Sequence, residues 1–275
     1  MAACFPALAH PLPLAIAHRG GALEAEENTT EAFAHAAALG YRFIETDVRV
    51  TRDGVAVLHH DATLARMCGR PEAVADLTWA ALSEVRTRGG AAIPRLDAVL
   101  ADLADMRFVL EAKSDDAVPA MAAAIRSAGA VGRVCVGAFS PARTARLRAA
   151  LGPDLAWSPA HLGVARVWLA GCGLPVAMPG CAAIQVPVRF RGVPVVTRGL
   201  LRAARRAGMQ VHVWTVDAPD EMARLLDLGV HGIITDRPTV LRRVLTDRDQ
   251  WTGGPTNGAP RIRTPGSAPD SSSHG

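Results

Sequence analysis

The stretch YRFIETDVRV, residues 41–50, has the composition of a buried β-strand but carries two carboxylates. Phe43 and Val48 are of the aromatic and β-branched types that are typical of strands. Glu45 and Asp47 are two residues apart, and side chains at that spacing on a strand point to the same face. Because an unpaired charge is costly to bury, we expect this face to meet cationic partners or a metal ion.

Seven further apolar runs flank this stretch, and amphipathic segments rich in Ala and Arg separate them. The eight predicted strands span residues 14–18, 43–48, 107–113, 133–139, 155–158, 182–186, 210–216 and 232–236. The predicted helices span roughly 30–39, 95–104, 116–128, 141–150, 160–170, 197–207, 218–228 and 238–246. This alternation predicts parallel βαβ units and an α/β fold, a (β/α)8 TIM barrel. A doubly wound open sheet is the alternative, but no GxGxxG motif follows the first strand.

The interval from residue 50 to about residue 94 interrupts the alternation and is interpreted as a small insertion after the second strand. It contains an extra apolar run, VAVLHH, then loop-rich sequence with a short predicted helix at about 79–86. Active sites of TIM barrels are built from loops at the carboxyl ends of the strands, so this insertion is expected to overhang the site. We expect the barrel domain to cover residues 1–250 and a disordered tail, rich in Pro, Gly and Ser, to cover 251–275.

Charge and composition narrow the classes of partner. The formal net charge of the 275 residues is +4, and the arginines are scattered rather than collected in one stripe, so no nucleic-acid partner is expected. The five cysteines are odd in number and form no CxxC motif, which favours a reducing compartment. No basic signal region and no run of about 18 apolar residues occurs, so we expect a cytoplasmic location without stable membrane insertion. Nothing in the sequence indicates the oligomeric state.

Polar and Trp side chains occupy the carboxyl ends of the predicted strands. They are His18, Arg19, Glu45, Asp47, Glu111, Lys113, Trp157, Gln185, Trp214 and Asp236. In a barrel these ends converge on one mouth, so Glu45, Asp47 and Glu111 are expected to bind one hard divalent cation, Mg²⁺ or Ca²⁺. The alternative is a metal-free network in which Arg19 and Lys113 neutralise the carboxylates. Lys113 is the only lysine of the chain, and a compact ammonium beside Glu111 favours a tight site.

Two histidines are candidates for proton transfer. His18 ends the first predicted strand, and His60 ends the extra run and precedes Asp61, which could orient its imidazole. A single histidine in such a position is more often structural. Two of them near a metal and two cations suit phosphoryl chemistry, in which one imidazole removes a proton and the other donates one.

The motifs that carry these residues closely resemble the glycerophosphodiester phosphodiesterases. They are AHRGG, ENTTEAFAHAAALGYRFIETDVRVTRDGVAVLHHDATLAR, IPRLDAVL, LEAK, VWTVD and GVHGIITDRP, and they run from His18 to Pro238 in the order of that family. The resemblance implies a TIM barrel with an insertion after strand two. It also implies metal-dependent hydrolysis of a glycerophosphodiester to glycerol 3-phosphate and an alcohol.

The resemblance also implies roles for single residues. His18 and His60 would be the acid–base pair, and Glu45, Asp47 and Glu111 would hold the metal. The other implied contacts are those of Arg19 and Lys113 with phosphate and of Trp214 with glycerol. The attacking group would be either the glycerol hydroxyl of the substrate, through a cyclic phosphate, or water, and the sequence does not distinguish these routes.

Two positions depart from the family pattern. Glu26 stands where the family's PENT motif has proline, which leads us to expect a looser loop, because proline would fix φ. Asp217 stands where the family has asparagine, and we expect it to cap the helix that follows.

Two other functions remain open at the level of sequence. The first is a lysophospholipase D-type enzyme that acts on lysophospholipids, which would need an apolar rim facing the membrane. The second is a binding barrel without catalysis, which the presence of His18, His60 and all three carboxylates disfavours. The preferred alcohol of the substrate is not evident from the sequence.

Overall fold

The strands and helices of the computed structural model, which describes residues 5–254, alternate along the chain. The strands are β1 (Leu14–His18), β2 (Phe43–Val50), β3 (Ala56–Leu58), β4 (Arg107–Ala112), β5 (Val134–Gly137), β6 (Ala156–Trp157), β7 (Ala183–Pro187), β8 (Arg189–Phe190), β9 (Val193–Pro194), β10 (Gln210–Trp214) and β11 (Gly232–Thr235). The α-helices are α1 (Thr30–Ala38), α2 (Ala65–Cys68), α3 (Trp79–Leu82), α4 (Leu96–Asp102), α5 (Ala117–Ser127), α6 (Pro141–Leu151), α7 (His161–Gly171), α8 (Arg198–Arg206), α9 (Pro219–Leu228) and α10 (Pro238–Thr246).

Eight strands form a parallel barrel in the order β6, β5, β4, β2, β1, β11, β10 and β7. The N–H of Ala182 donates to the carbonyl of Trp157 at 3.1 Å, which links the two ends of this order. The register pairs His18 with Glu45 and Asp47 with Glu111. The predicted TIM barrel is therefore confirmed, and the doubly wound alternative is wrong.

The inner face of the barrel changes from apolar to charged along each strand. Side chains alternate in direction, so the interior receives every second residue. On β2, Phe43 lies in an interior apolar cluster, and Glu45 and Asp47 follow it toward the carboxyl end. Ala7 and Leu8 of an N-terminal 3₁₀ turn belong to the same cluster and close the floor. Within residues 5–254, the polar ends of the strands therefore lie on the side away from this floor, at the mouth formed by their carboxyl ends.

The insertion has a small core of its own and is anchored to β2. Its strand β3 pairs antiparallel with β2, with Val48 opposite Leu58. The core residues of the insertion are Val57, Leu64, Val74, Leu82, Val85 and Ile93. Its second helix, α3, is shorter than the predicted segment 79–86. Because β3 runs antiparallel to β2 after a turn, the residues that follow β3, including His60, return toward the mouth.

Two further features complete the fold, a short hairpin and an aromatic contact near the end of the described residues. A hairpin formed by β8 and β9, absent from the sequence prediction, follows β7. Trp251 packs against Tyr41 with ring centroids 5.3 Å apart, and the predicted tail from residue 255 onward lies outside the described residues. Within residues 5–254 no helix is long and apolar enough to span a bilayer.

Candidate active site

The turn after β1 fixes the positions of His18 and Arg19. Arg19 has a φ of +52° and Gly20 has a φ of +88°, a conformation that glycine adopts without strain. A Cβ on Gly20 would lie 2.7 Å from the Cβ of Ala32, so no larger residue fits. The N–H of Arg19 donates to the carbonyl of Glu45 at 2.8 Å. The glycines of the HRGG motif therefore allow the turn to fold back against β2 and α1.

Glu45, Asp47 and Glu111 form one acidic cluster at the mouth, as the sequence predicted. One oxygen from each of the three carboxylates lies within 4.8 Å of the other two. Glu45 and Asp47 are buried, and Glu111 is half-buried. Carboxylate oxygens grouped in this way are the ligands that Mg²⁺ and Ca²⁺ take in proteins.

The Asp47 carboxylate is surrounded by cations and a donor. Lys113 Nζ lies 2.8 Å from Asp47 Oδ1, and Asn28 Nδ2 donates to Asp47 Oδ2 at 3.0 Å. Arg19 Nε lies 3.1 Å from the same Oδ2 as an ion pair that lacks hydrogen-bond alignment. Burial alone would raise the pKa of Asp47, but the charges of Lys113 and Arg19 outweigh it and hold the pKa below its usual value. Asp47 is therefore ionised.

Glu45 lacks comparable partners. Its Oε2 is buried and accepts no hydrogen bond within the described structure, and the nearest cationic group is His18, with Nε2 at 3.6 Å. Burial and the negative charge of Asp47 raise the pKa of Glu45 to about 7. A buried carboxylate oxygen without a partner is unfavourable. A divalent cation between the three carboxylates would supply the missing partner, so the residues present fit such an ion.

His18 bonds to Asp236 at the end of β11, and Asp217, which follows β10, supports Asp236. Its Nδ1 lies 2.6 Å from Asp236 Oδ1, and since a carboxylate only accepts, Nδ1 carries the proton and Nε2 faces Glu45. Burial lowers the pKa of His18, but Glu45 and Asp236 together raise it above its usual value. Asp217 Oδ1 accepts from the N–H of Asp236 at 2.8 Å and from Thr235 Oγ1 at 2.9 Å. Asp217 thus fixes the strand end that holds His18.

The expectation that Asp217 caps the following helix is wrong. The helix α9 begins after Ala218, and no side chain caps it. The carboxylate of Asp217 is instead committed to β11, which lies beside β10 in the sheet. The position of Asp217 in the sequence favours a helix cap. The pairing of β10 with β11 instead places two donors, Thr235 Oγ1 and the N–H of Asp236, within hydrogen-bond distance of its carboxylate.

His60 and His59 differ sharply although they are neighbours. His60 Nδ1 lies 2.7 Å from Asp61 Oδ1, and about a third of its side chain is exposed. His59 is buried, and its Nε2 lies 3.1 Å from the carbonyl of Thr63. The backbone carbonyl of His60 also accepts two bonds from Arg49, at 2.7 and 3.0 Å. His60 is therefore the one of the two that can exchange a proton with a ligand at the mouth, while His59 supports the loop.

A chain of ion pairs joins the insertion to the turn after β1. Arg66 Nε donates to Asp61 Oδ2 at 2.6 Å, and both of its terminal nitrogens donate to Glu27, at 2.6 and 2.9 Å. Glu27 Oε1 also accepts from Arg19 at 3.0 Å. Burial alone would raise the pKa of Glu27, but its bonds to Arg66 and the charge of Arg19 outweigh burial and hold the pKa below its usual value. This carboxylate therefore stays ionised. Asp61 therefore contacts both His60 and a network that reaches Arg19.

Glu26 adds a second link between the same two segments. Its carboxylate accepts from Thr87 Oγ1 at 2.5 Å and from the N–H of Gly89 at 2.7 Å. A Cβ on Gly89 would lie 2.5 Å from Glu26 Oε2, so the glycine leaves room for this contact. The carboxylate of Glu26 thus ties the loop to the insertion, and this contact opposes the loosening expected from the missing proline.

The opposite side of the interior carries Trp214 and Gln185. Trp214 ends β10 and packs on the interior apolar cluster. Gln185 lies one strand away on β7, and its Nε2 is buried without a hydrogen-bond partner in the described chain. Both side chains lie on strands of the same mouth as the acidic cluster.

Sequence reasoning found the residues at the strand ends but not those that connect them. Arg66 and Arg49 were not singled out as site residues, Glu27 was expected to support the site but without a named partner, and Asp236 was noted only as a strand-end carboxylate. The Arg66–Glu27 pair joins positions 39 residues apart, a separation at which no periodic pattern predicts contact. The DxxxxR spacing of Asp61 and Arg66 in HHDATLAR was the one available signal.

Comparisons with known proteins agree with this geometry. The model of the glycerophosphoryl diester phosphodiesterase family matches residues 18–240. The chain is 41% identical over 253 residues to the probable glycerophosphodiester phosphodiesterase 2 of Mycobacterium tuberculosis, covering 90% of this chain and 96% of that protein. It resembles the crystal structure of a putative glycerophosphoryl diester phosphodiesterase from Silicibacter pomeroyi, with a TM-score of 0.75, 26% identity, and coverage of 90% and 100% of the two chains.

A second similar structure is that of an Oleispira antarctica phosphodiesterase in complex with the product sn-glycerol-3-phosphate. The TM-score is 0.70 at 20% identity, with 86% of this chain and 97% of that chain covered. At this identity the likeness is one of fold.

Proposed function

The chain belongs to the glycerophosphoryl diester phosphodiesterase family and is a phosphoric diester hydrolase, and from that premise we propose how its own residues perform the reaction. The substrate is a glycerophosphodiester, and the products are glycerol 3-phosphate and an alcohol. A divalent cation, Mg²⁺ or Ca²⁺, binds to Glu45, Asp47 and Glu111. His18 and His60 transfer the protons.

One observation carries the proposal, the unpartnered buried Oε2 of Glu45 within a cluster of three carboxylates. A metal-free network would be expected to give every buried carboxylate oxygen a partner, but Lys113 lies 2.8 Å from Asp47 and from Glu111, and Glu45 Oε2 has no hydrogen bond. When bound, the cation polarises the phosphoryl group and stabilises the negative charge that develops on it.

Charge balance supports a cation as well. When all three carboxylates are ionised they outnumber Lys113 and Arg19 by one, so the cluster is then negative and would repel a phosphodiester anion. A divalent cation reverses the sign. Lys113 and Arg19 then supply the remaining positive charge toward the phosphate oxygens, and the bidentate geometry of a guanidinium suits that contact.

The two histidines are set up for proton transfer in the same way. In each, Nδ1 bonds to a carboxylate, Asp236 for His18 and Asp61 for His60. This leaves Nε2 of each ring as the atom that accepts or donates a proton. One imidazole removes the proton of the attacking hydroxyl, and the other protonates the alcohol oxygen as its bond to phosphorus breaks. The same two proton transfers are needed whether the glycerol hydroxyl or water attacks first.

Trp214 is proposed to lie against the carbon atoms of the glycerol, since it ends the strand next to β11 and carries an apolar face at the mouth. The buried Nε2 of Gln185 is a donor on the adjacent strand. Recognition then depends on the glycerophosphate half of the substrate.

The test is release of glycerol 3-phosphate from glycerophosphocholine by the purified protein. We expect release with Mg²⁺ or Ca²⁺ and loss of release in excess chelator, restored when the metal is added back. Release at an undiminished rate in chelator would contradict the metal-dependent mechanism. No release from any glycerophosphodiester under either condition would contradict the function itself.

A further inference from the structure

Four side chains form a largely apolar rim on the mouth, which begins beside the acidic cluster. They are Phe139, His161, Phe190 and Val193, and the three apolar ones are each about half exposed, at 53%, 48% and 52%. Exposed apolar side chains are common when they occur singly. Here they are adjacent, and each belongs to a different loop or strand end.

The rim is built by three successive strands of the barrel. Phe139 follows β5, His161 begins α7 after β6, and Phe190 and Val193 lie on the hairpin after β7. The ring of His161 stacks on Phe139 with centroids 5.3 Å apart and meets Phe190 at 5.8 Å. The rings thus form a continuous row across the carboxyl ends of β5, β6 and β7.

The hairpin holds its end of the row rigidly. Phe190 and Val193 are directly opposite each other across the two strands, so they lie on the same face. The two turn residues, Arg191 and Gly192, both have positive φ, at 48° and 83°, which is the geometry of a tight two-residue hairpin turn. A tight turn of this kind presents a defined apolar surface rather than a collapsed loop.

The rim begins at the proposed phosphate site. Lys113 Nζ lies 6.0 Å from the ring centroid of Phe139 and 2.8 Å from both Asp47 and Glu111. At the other end, β7 pairs with β10 so that Pro187 lies opposite Trp214. The row of rings therefore spans the arc between the proposed phosphate contact and the proposed glycerol contact.

We propose that this rim holds an apolar chain carried by the phosphodiester substrate, so that the chain favours amphiphilic glycerophosphodiesters over polar ones. The inference rests on the proposed function, since it concerns the same bound substrate. The chain could be an acyl group on the glycerol or an apolar alcohol esterified to the phosphate. Both present a hydrocarbon chain to the rim. With either attachment, the phosphate lies beside Lys113 and Phe139.

The magnitude expected follows from burial of hydrocarbon. Complete burial of one methylene contributes about a fourfold gain in affinity. A six-carbon chain lying on an open rim is only partly covered. We expect it to raise kcat/KM by at least about tenfold over glycerophosphocholine.

The experiment compares three substrates below their micellar concentrations. They are glycerophosphocholine, its 1-hexanoyl ester, and the hexyl ester of glycerol 3-phosphate. A gain with the second assigns the apolar chain to the glycerol arm, and a gain with the third assigns it to the alcohol arm. The double variant Phe139→Ser, Phe190→Ser is expected to reduce the ratio of the apolar to the polar substrate by at least about fivefold. Phe190→Ser alone is expected to reduce it partly.

Leu174→Ser is the matched control. Leu174 is exposed to nearly the same extent, at 51%, but lies in the connection from α7 to β7, at the opposite end of the barrel. We expect its substrate ratio to equal that of the unsubstituted protein.

Three outcomes would overturn the inference. The first is hydrolysis of glycerophosphocholine without any preference for either apolar substrate, which leaves the proposed function intact. The second is a preference that the rim variants retain. The third is a rim substitution that abolishes sedimentation with lipid vesicles but leaves the monomeric substrate ratio unchanged, which would make the rim a membrane contact. Failure of all three substrates to react would instead contradict the proposed function.

Discussion

The two sides of the barrel mouth are built on opposite principles. On the side of β1, β2 and β4, the side chains are charged and joined by ion pairs, from the partly exposed His60 through Asp61, Arg66 and Glu27 to Arg19. On the side of β5, β6 and β7, they are apolar and about half exposed. The difference separates two tasks. The charged side can bind a cation and a phosphate and move protons, while the apolar side can only select what else the substrate carries.

The comparison also shows that the insertion belongs to the charged side. It contributes His60, and both Arg66 and Gly89 bond to the turn after β1. No equivalent ion pair among the described residues ties the hairpin of β8 and β9 to the acidic cluster. The charged side is therefore sensitive to substitutions some distance from the reacting atoms, and the apolar side should be tolerant of them.

The largest expected effect is that of His60→Ala. Loss of an imidazole that transfers a proton should lower kcat by about 10²- to 10⁴-fold, with little change in Tm because the side chain is partly exposed. The matched control is His59→Gln, which removes the neighbouring buried ring. We expect that variant to lower Tm and keep kcat within about threefold of the unsubstituted value, since the ring is buried and bonds to the loop carbonyl of Thr63. Equal kcat losses in both variants would show that His60 is structural.

Acid stability depends on a buried group that lies outside both sides. On β10, burial lowers the pKa of His212 to about 3. Below the usual histidine pKa of 6.5 the unfolded chain binds a proton that the folded chain does not, so stability falls as the pH decreases from about 6.5. We expect a loss of about 2 kcal/mol between pH 6.5 and pH 5 from this residue. Urea unfolding of His212→Gln should show a shallower decline over that range, and an unchanged slope would contradict the assignment.

Arg66→Gln should break the bridge between the insertion and the turn after β1. The His60–Asp61 pair would then be less well oriented, and we expect kcat to fall about tenfold with KM changed less. Arg70→Gln is the matched control, because Arg70 pairs only with Glu72 on the exposed surface of the insertion. If Arg66→Gln and Arg70→Gln have the same kcat, the bridge does not position the catalytic pair.

Glu26→Ala is expected to have the smallest effect. It removes two hydrogen bonds that a charged oxygen accepts from the insertion, so the free energy of unfolding should decrease by about 1–2 kcal/mol. Chemical denaturation measures this, and hydrogen exchange at residues 87–90 should become faster. Glu72→Ala, which affects an exposed pair, should stay within about 0.5 kcal/mol of the unsubstituted protein. A larger loss for Glu72→Ala than for Glu26→Ala would contradict the assigned link.

The sequence predicted the eight strands and the acidic cluster because both depend on short periods. Alternation at two residues places Glu45 and Asp47 on one face, and the parallel order brings Glu111 beside them. The link that Arg66 makes between Asp61 and Glu27 was not predicted, since it joins segments through loop geometry that no period describes. The same holds for the hairpin of β8 and β9, whose strands have only two residues each. Asp217 was assigned to the wrong partner because a local cap competes with a contact between strands.

The central claim is that a divalent cation completes the bonding of Glu45. Isothermal titration of Mg²⁺ or Ca²⁺ into metal-free protein, with Glu45→Gln titrated in parallel, tests it without reference to activity. We predict about one site per chain, lost in Glu45→Gln, while the Tm of the metal-free variant is equal to or higher than that of the unsubstituted protein because a buried unpaired charge has been removed. Binding of equal affinity in both proteins, or a large loss of Tm in metal-free Glu45→Gln, would contradict the claim.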